Sequence, residues 1–185
     1  MNGAILILGV VVFVGLLAGI IIYNGFIGRR NAVRNAFASI DVQLKKRWDL
    51  VPQLVETVKA YARHERTLFQ EIVEARQRAE RAGPQSAQRF THEQDIGVGV
   101  SRLFALAEDY PELRSSGQFL HLQRNLTEIE SQVAASRRAY NAAVTRWNEG
   151  VEMFPGSLFA RVFSFQRADW FETPSKQRRA HDVRL

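Results

Sequence analysis

A run of 20 residues without a charged side chain, Gly3 to Ile22, stands near the start of the sequence as GAILILGVVVFVGLLAGIII. As a helix it is about 30 Å long, which matches the hydrocarbon thickness of a bilayer. A helix also satisfies its own backbone hydrogen bonds in lipid, which an irregular segment does not. Tyr23 follows the run, where an aromatic side chain meets the headgroup layer. We therefore expect a transmembrane anchor over residues 1–28.

A cleaved signal peptide is the main alternative interpretation of this run. Such a peptide needs a positive leader, a shorter apolar core and a cleavage site of small residues. Only Met1 and Asn2 precede the run, and no A-x-A pattern follows it, which favours an uncleaved anchor. Gly15 and Gly19 form a small-xxx-small pair that either joins two anchors or reflects the glycine enrichment of membrane helices. The second interpretation is the simpler one.

The basic residues near the run predict its orientation. No Lys or Arg precedes it, and only Asp41 opposes the six that follow soonest: Arg29, Arg30, Arg34, Lys45, Lys46 and Arg47. The positive-inside rule then predicts a single-pass protein of the cell membrane, with the N-terminus outside and the C-terminal domain in the cytoplasm. The net charge of +6 suits nucleic acid or an anionic membrane surface equally. We expect a membrane and no nucleic acid, with Lys45, Lys46 and Arg47 exposed and each worth under about 0.5 kcal/mol.

The remainder of the chain has helical periodicity. Apolar residues recur at three- and four-residue spacing from Val33 to Ala62 and on towards Ala82, where Gly83-Pro84 predicts a stop. No useful length alternates with period two. We therefore predict an all-α fold, in which the N-terminal transmembrane helix precedes an antiparallel four-helix bundle with long helices over residues 29–172. A basic tail, residues 173–185, is predicted to be disordered.

Two later helices of this bundle are predicted from different sequence patterns. A helix from about Glu93 to Asp109 is predicted to bury Leu103, but Gly97 and Gly99 make its start uncertain. A helix further on has a near-perfect heptad seam typical of a coiled coil. The seam consists of Phe119, Leu122, Leu126, Ile129, Val133, Ser136, Tyr140, Ala143 and Trp147.

Pro52 interrupts the first helical stretch and allows two interpretations. The apolar phase continues through it, as in one long kinked helix. Asp49, however, is a good N-cap, and Pro52 would then lie in the first turn of a new helix. We predict the new helix, because it gives four helices and an even number of crossings. Leu54 and Val58 are predicted core residues, each costing roughly 2–5 kcal/mol on change to alanine.

The segment 154–171, FPGSLFARVFSFQRADWF, contains six aromatic residues with arginines between them. Aromatic rings beside arginines suit the headgroup layer of a membrane. Alternatively, the segment folds back as a hydrophobic plug that caps the bundle. Pro155-Gly156 and the mixed spacing of the aromatic residues favour the plug.

Two long motifs resemble the signatures of the LemA family. The first is YNGFIGRRNAVRNAFASIDVQLKKRWDLVPQLVETVKAYARHE, residues 23–65, and the second is YNAAVTRWNEGVEMFPGSLFARVFSFQRADWFE, residues 140–172. Between them LFALAEDYPELRSSGQFLHLQ is similar to the middle block of the family. The resemblance implies one N-terminal membrane helix, a short outside N-terminus and a helical bundle inside. It implies no established enzymatic activity and no functional residues, and relatives have been linked to membrane organisation.

The sequence offers no catalytic, cofactor-binding or metal-binding residues. It has no Cys, and none of its histidines, His64, His92, His121 and His181, follows a carboxylate by three residues, as a di-iron bundle requires. Phosphate-loop, dinucleotide and nucleophile-elbow motifs are absent too. Asp41 and Asp49 either pair with arginines or mark a partner-binding face.

The function predicted from these observations is that of a membrane-anchored interaction or scaffolding module. We expect protein partners or a homo-oligomer, with no cofactor and no identified small-molecule substrate. The prediction is of a protein that is not an enzyme. An accessory subunit or regulator of a membrane-bound enzyme is the alternative.

Overall fold

The structure, a computed structural model, describes residues 2–82 and 87–171. Over those residues the regular structure is helical, without strands, which confirms the predicted all-α class. The helices are α1 (Asn2–Lys59), α2 (Arg66–Arg81), α3 (Ala87–Leu106), α4 (Pro111–Arg114), α5 (Gly117–Glu152) and α6 (Gly156–Val162), with a 3₁₀ turn at Ala107–Asp109. The predicted stop at Gly83-Pro84 and the predicted disordered tail at 173–185 lie outside the described residues.

Helix α1 is one element of 58 residues that begins with the apolar run. Among the described residues it is the one helix long and apolar enough to cross a bilayer, with a mean hydropathy of 2.9 in its most apolar window. None of that window is buried by other parts of the protein. A segment of this length and apolarity, left without protein packing, is typical of a helix that faces lipid.

Pro52 lies inside α1, so the prediction that it opens a new helix, with Asp49 as N-cap, is wrong. Its ring points to solvent, while Val51 beside it and Leu54 just beyond are buried. The unbroken apolar stripe therefore holds the helix together across a residue that lacks an N–H donor. The chain leaves the helix after Lys59, and α2 starts at Arg66.

The fold divides into two compact units, which we describe separately. The central unit is Ile40–Ala135, and the terminal unit comprises the described parts of Met1–Ser39 and Ser136–Leu185. Helices α1 and α5 contribute residues to both.

The central unit has an aliphatic core in which α2 packs against α3. Leu54 and Val58 are fully buried, as predicted. Helix α3 begins at Ala87, before the predicted start at Glu93, and both of its glycines are inside it. A Cβ at Gly99 would lie 2.5 Å from Ile72 Cγ1 of α2. The glycine therefore permits a close approach of the two helices that a larger residue would prevent.

The terminal unit has a core built around aromatic rings. Phe26, Trp147 and Ala160 are buried, and the half-buried residues around them are Ile22, Val33, Val151, Phe159, Phe165 and Ala168. The ring of Phe26 meets that of Trp147 edge-on, with their centroids 5.7 Å apart. Of the predicted seam on α5, Ala143 and Trp147 are buried here, and Phe119, Leu122, Leu126, Ile129 and Val133 are buried in the central unit.

Helix α6 ends in a Schellman turn that reverses the chain. Ser164 has a φ of 55°, and the Phe165 amide donates to the Ala160 carbonyl at 2.9 Å. The Ser164 amide donates to the Arg161 carbonyl at 3.4 Å. These two bonds satisfy carbonyls that the end of a helix otherwise leaves unpaired. The turn sends residues 165–171 along α5 as a segment without regular structure, which we name the return segment.

Candidate functional site

A buried ionic cluster lies inside the central unit. The guanidinium of Arg47 donates from Nη1 to Glu130 Oε1 at 2.8 Å and from Nη2 to the backbone carbonyl of Glu93 at 2.8 Å. It also forms an ion pair with the Glu93 carboxylate. The side chains of Arg47 and Glu93 are 1% and 0% exposed, and that of Glu130 is 38% exposed. A planar fork of donors suits this arrangement better than the single ammonium of a lysine.

The prediction that Arg47 is exposed is therefore wrong, whereas Lys45 and Lys46 are exposed as predicted. The cause is helical phase, since Arg47 follows the buried residues Ile40 and Leu44 at spacings of seven and three. Gly97 of α3 lies beside the head group, where a Cβ would lie 3.6 Å from Arg47 Nη1, an ordinary contact distance.

A surface groove runs between α1 and α5 in the central unit. It is lined by Gln43, Lys46, Asp49, Leu50, Asn125, Glu128, Ile129 and Gln132. Its polar walls are held by bonds within the helices, such as that from Gln132 Nε2 to Glu128 Oε1 at 3.1 Å. Leu50 and Ile129 add apolar surface. A groove with an apolar floor and oriented polar walls suits the side chains of a protein partner.

The two aspartates that marked a possible partner-binding face occupy different environments. Asp49 is exposed and lines the groove, whereas Asp41 is half-buried and lies outside the set of residues that line it. The structure therefore assigns only Asp49 to this surface.

In the terminal unit, asparagines of α5 hold the return segment through paired bonds. Asn148 donates from Nδ2 to the Ala168 carbonyl and accepts from the Ala168 amide, both at 2.9 Å. Asn141 bonds the Phe171 carbonyl and amide in the same way, at 3.2 and 2.7 Å. Seven helical residues span about 10.5 Å, and three extended residues span about 10 Å, so the two spacings match. Trp147 Nε1 also donates to the Gln166 carbonyl at 2.8 Å.

The aromatic segment 154–171 divides into an inner and an outer set. The Phe165 ring centroid lies 4.9 Å from that of Phe26, and the Phe163 ring centroid lies 5.1 Å from that of Tyr23, so this inner set forms part of the plug that the sequence favoured. The outer set is Phe154, Leu158 and Val162, which are 80, 54 and 77% exposed, and Met153, directly before the segment, is 64% exposed. We call these four residues the apolar edge. The plug interpretation therefore explains the ring contacts of the inner set, but it does not explain the exposure of the apolar edge.

Tyr140 on α5 has a shifted pKa. Burial raises the pKa of its hydroxyl, and the charge of Asp169 raises it further. The hydroxyl donates to the backbone carbonyl of Asp169 at 3.2 Å. The neutral hydroxyl is therefore the form that fixes the return segment.

The histidines do not gather in the described part of the chain. His64 is exposed, His92 lies 3.6 Å from the Asp95 carboxylate, and His121 meets the Asn125 amide at 3.0 Å. His181 lies outside the described residues. Over residues 2–82 and 87–171, no three His, Asp or Glu side chains converge on a point that could hold a metal ion.

The model of the LemA family matches residues 36–185, which is most of the chain. The chain belongs to the LemA family. It is also 25% identical to the magnetosome proteins MamQ 1 and MamQ 2 of Paramagnetospirillum magneticum, over 91% of this chain and 72% of each relative. Magnetosome protein MamQ of Magnetospirillum gryphiswaldense is 23% identical over 91% of the chain and 70% of its own length.

Glycines of the second LemA motif serve close packing in the terminal unit. A Cβ at Gly150 would overlap the guanidinium of Arg29, and one at Gly156 would overlap the Gly150 carbonyl oxygen. Spacing along the chain does not connect Gly150 with Arg29, which lies 121 residues earlier. The sequence did not predict a role for Asn141 and Asn148 either. Their seven-residue spacing does place both on one face of α5.

Proposed function

We propose that this LemA family protein is a single-pass membrane protein whose helical bundle is an interaction or scaffolding module, without enzymatic activity of its own. The observation that carries the proposal is the composition of α1. One helix contains an unburied, membrane-length apolar run and also, from Val51 to Val58, part of the bundle core. Such a helix joins a lipid-facing segment to a folded domain without a linker.

The N-terminus is proposed to lie outside and the C-terminal domain in the cytoplasm. The support is the charge asymmetry, because Arg29, Arg30 and Arg34 closely follow the apolar run and no basic residue precedes it. A reporter that is active only in the cytoplasm, fused after Leu185, is expected to be active. A reporter that is active only outside is expected to be silent, and the opposite pair of results would refute this orientation.

The groove between α1 and α5 is the proposed surface for a protein partner or a further copy of the chain. Lys46, Asp49 and Glu128 place charges of both signs around Leu50 and Ile129, which is typical of a polar rim around an apolar centre. The relatives are named as magnetosome proteins.

Photo-crosslinking in intact membranes tests this surface. A photoreactive residue at Gln132, in the groove, is expected to give a discrete crosslinked product. The same residue at Gln77, an exposed glutamine of α2, is the matched control and is expected to give none. The charge reversal Asp49→Lys should reduce the product from position 132, whereas Glu80→Lys should leave it unchanged. Equal crosslinking from both glutamines, or none from either, would contradict the groove as the binding surface.

A further inference from the structure

The apolar edge is an exposed apolar surface of the terminal unit outside the apolar run. Phe154 and Val162 are 80 and 77% exposed, which is unusual for large apolar side chains in water. Leu158 and Val162 are four residues apart and therefore lie on one face of α6. Ala160, on the opposite side of α6, is buried in the core, and Phe159 beside it is half-buried there. Helix α6 is thus apolar on both sides, and the protein covers only one of them.

Contacts with α1 place α6 beside the end of the apolar run. A Cβ at Gly19 would lie 3.7 Å from the Phe159 ring, and Gly19 is inside the run, three residues before Ile22. Tyr23, directly after the run, contacts Phe163, which follows α6. The covered side of α6 therefore packs against the last turn of the segment that would cross a bilayer.

We propose that the apolar edge is a second membrane contact, which inserts into the headgroup and upper acyl region of the same bilayer that the apolar run crosses. This inference rests on the proposed function, because it requires the run to be inserted. A side chain at the level of Gly19 is then at the level of lipid, so that the exposed face of α6 meets acyl chains instead of water. Arg161, exposed in the last turn of α6, is suited to a lipid phosphate.

The absence of cysteine from the sequence permits a direct test with single-cysteine variants of the full chain. Phe154→Cys and Val162→Cys carry an environment-sensitive fluorophore on the apolar edge. Leu17→Cys, 45% exposed, reports on the apolar run. Ser39→Cys is the water-side control, because position 39 is exposed and lies about 25 Å beyond Ile22 along α1. Each variant is reconstituted into phosphatidylcholine–phosphatidylglycerol vesicles, and circular dichroism checks that its helicity is unchanged.

Quenching by lipids with a nitroxide at a known depth then separates the outcomes. The proposal expects positions 154 and 162 to be quenched by the shallow nitroxide and shielded from iodide. Position 17 should be quenched by the deep nitroxide and position 39 by iodide alone. If position 17 is in lipid while 154 and 162 behave like 39, the second contact is refuted and the anchor stands. If 154 and 162 are shielded from both quenchers, a protein surface covers them and the proposal is overturned. If position 17 is also outside lipid, the proposed membrane anchoring fails together with this inference.

Discussion

Changing Arg47 to methionine is expected to destabilise the fold by about 3–5 kcal/mol, because it leaves the Glu93 carboxylate buried without its cation. A typical domain is stable by roughly 5–15 kcal/mol, so this loss is a large fraction of the total. With a urea m-value of about 2 kcal/mol/M, the unfolding midpoint should fall by about 2 M. The measurement is urea unfolding of the full chain in detergent micelles, followed by circular dichroism.

Three further variants distinguish a buried ion pair from a generally important position. Lys45→Met removes an exposed positive charge from the same helix and should change the free energy of unfolding by less than about 0.5 kcal/mol. Arg47→Lys retains the charge but not the fork of donors, so its loss should be intermediate. The double variant Arg47→Met with Glu93→Met should recover most of the stability, because an apolar pair can replace a buried ion pair. Equal losses for Arg47→Met and Lys45→Met, or additive losses in the double variant, would refute the reasoning.

Four other substitutions test separate features by the same unfolding measurement. Pro52→Ala should stabilise by up to about 2 kcal/mol, since a proline inside α1 donates no hydrogen bond; a loss would indicate a helix start instead. Gly99→Ala should cost roughly 1–3 kcal/mol, because its Cβ would meet Ile72, and an unchanged stability would contradict that close contact. Ser164→Gly should stabilise by roughly 0.5–1 kcal/mol by relieving a left-handed residue, and a loss would contradict the Schellman turn. For Tyr140, the raised pKa means that its contribution is complete below about pH 10 and is lost as the pH rises through the folded-state pKa. Tyr140→Phe should therefore reduce the loss of stability above pH 10, and identical pH profiles would contradict the shift.

The three- and four-residue spacing of apolar residues predicted the helical class and the core positions, because it shows which face of each helix is apolar. Leu54 and Val58 are buried as predicted, as are the heptad residues of α5 up to Val133. The same signal could not locate the end of α1, since the apolar phase continues across Pro52 and also resumes in α2. Local propensity favoured a break at the proline, but the packing of Val51 and Leu54 outweighs the one missing hydrogen bond.

The polar features were harder to predict because each depends on residues distant in sequence. Arg47 was interpreted as one of three exposed cations, and its partners Glu93 and Glu130 are 46 and 83 residues away. Charged residues on a helix are normally assigned to solvent. That assignment is wrong for Arg47, because the Glu93 carboxylate of another helix pairs with it in the interior. Gly97, which lies beside the guanidinium, was interpreted only as a poor helix former.

The second LemA motif can now be divided into residues with a structural role and residues without one. Asn141 and Asn148 hold the return segment, and Gly156 allows close packing against the Gly150 backbone. Packing and backbone bonding explain why such residues occur in the motif, so they give no indication of a partner. Phe154, by contrast, is 80% exposed, although it is a large aromatic residue in the same motif. An apolar side chain that the fold does not use is best explained by something outside the fold, and its neighbours on the apolar edge share this property. The apolar edge, and not the buried polar residues, is therefore the part of this unit to which we assign the proposed membrane contact.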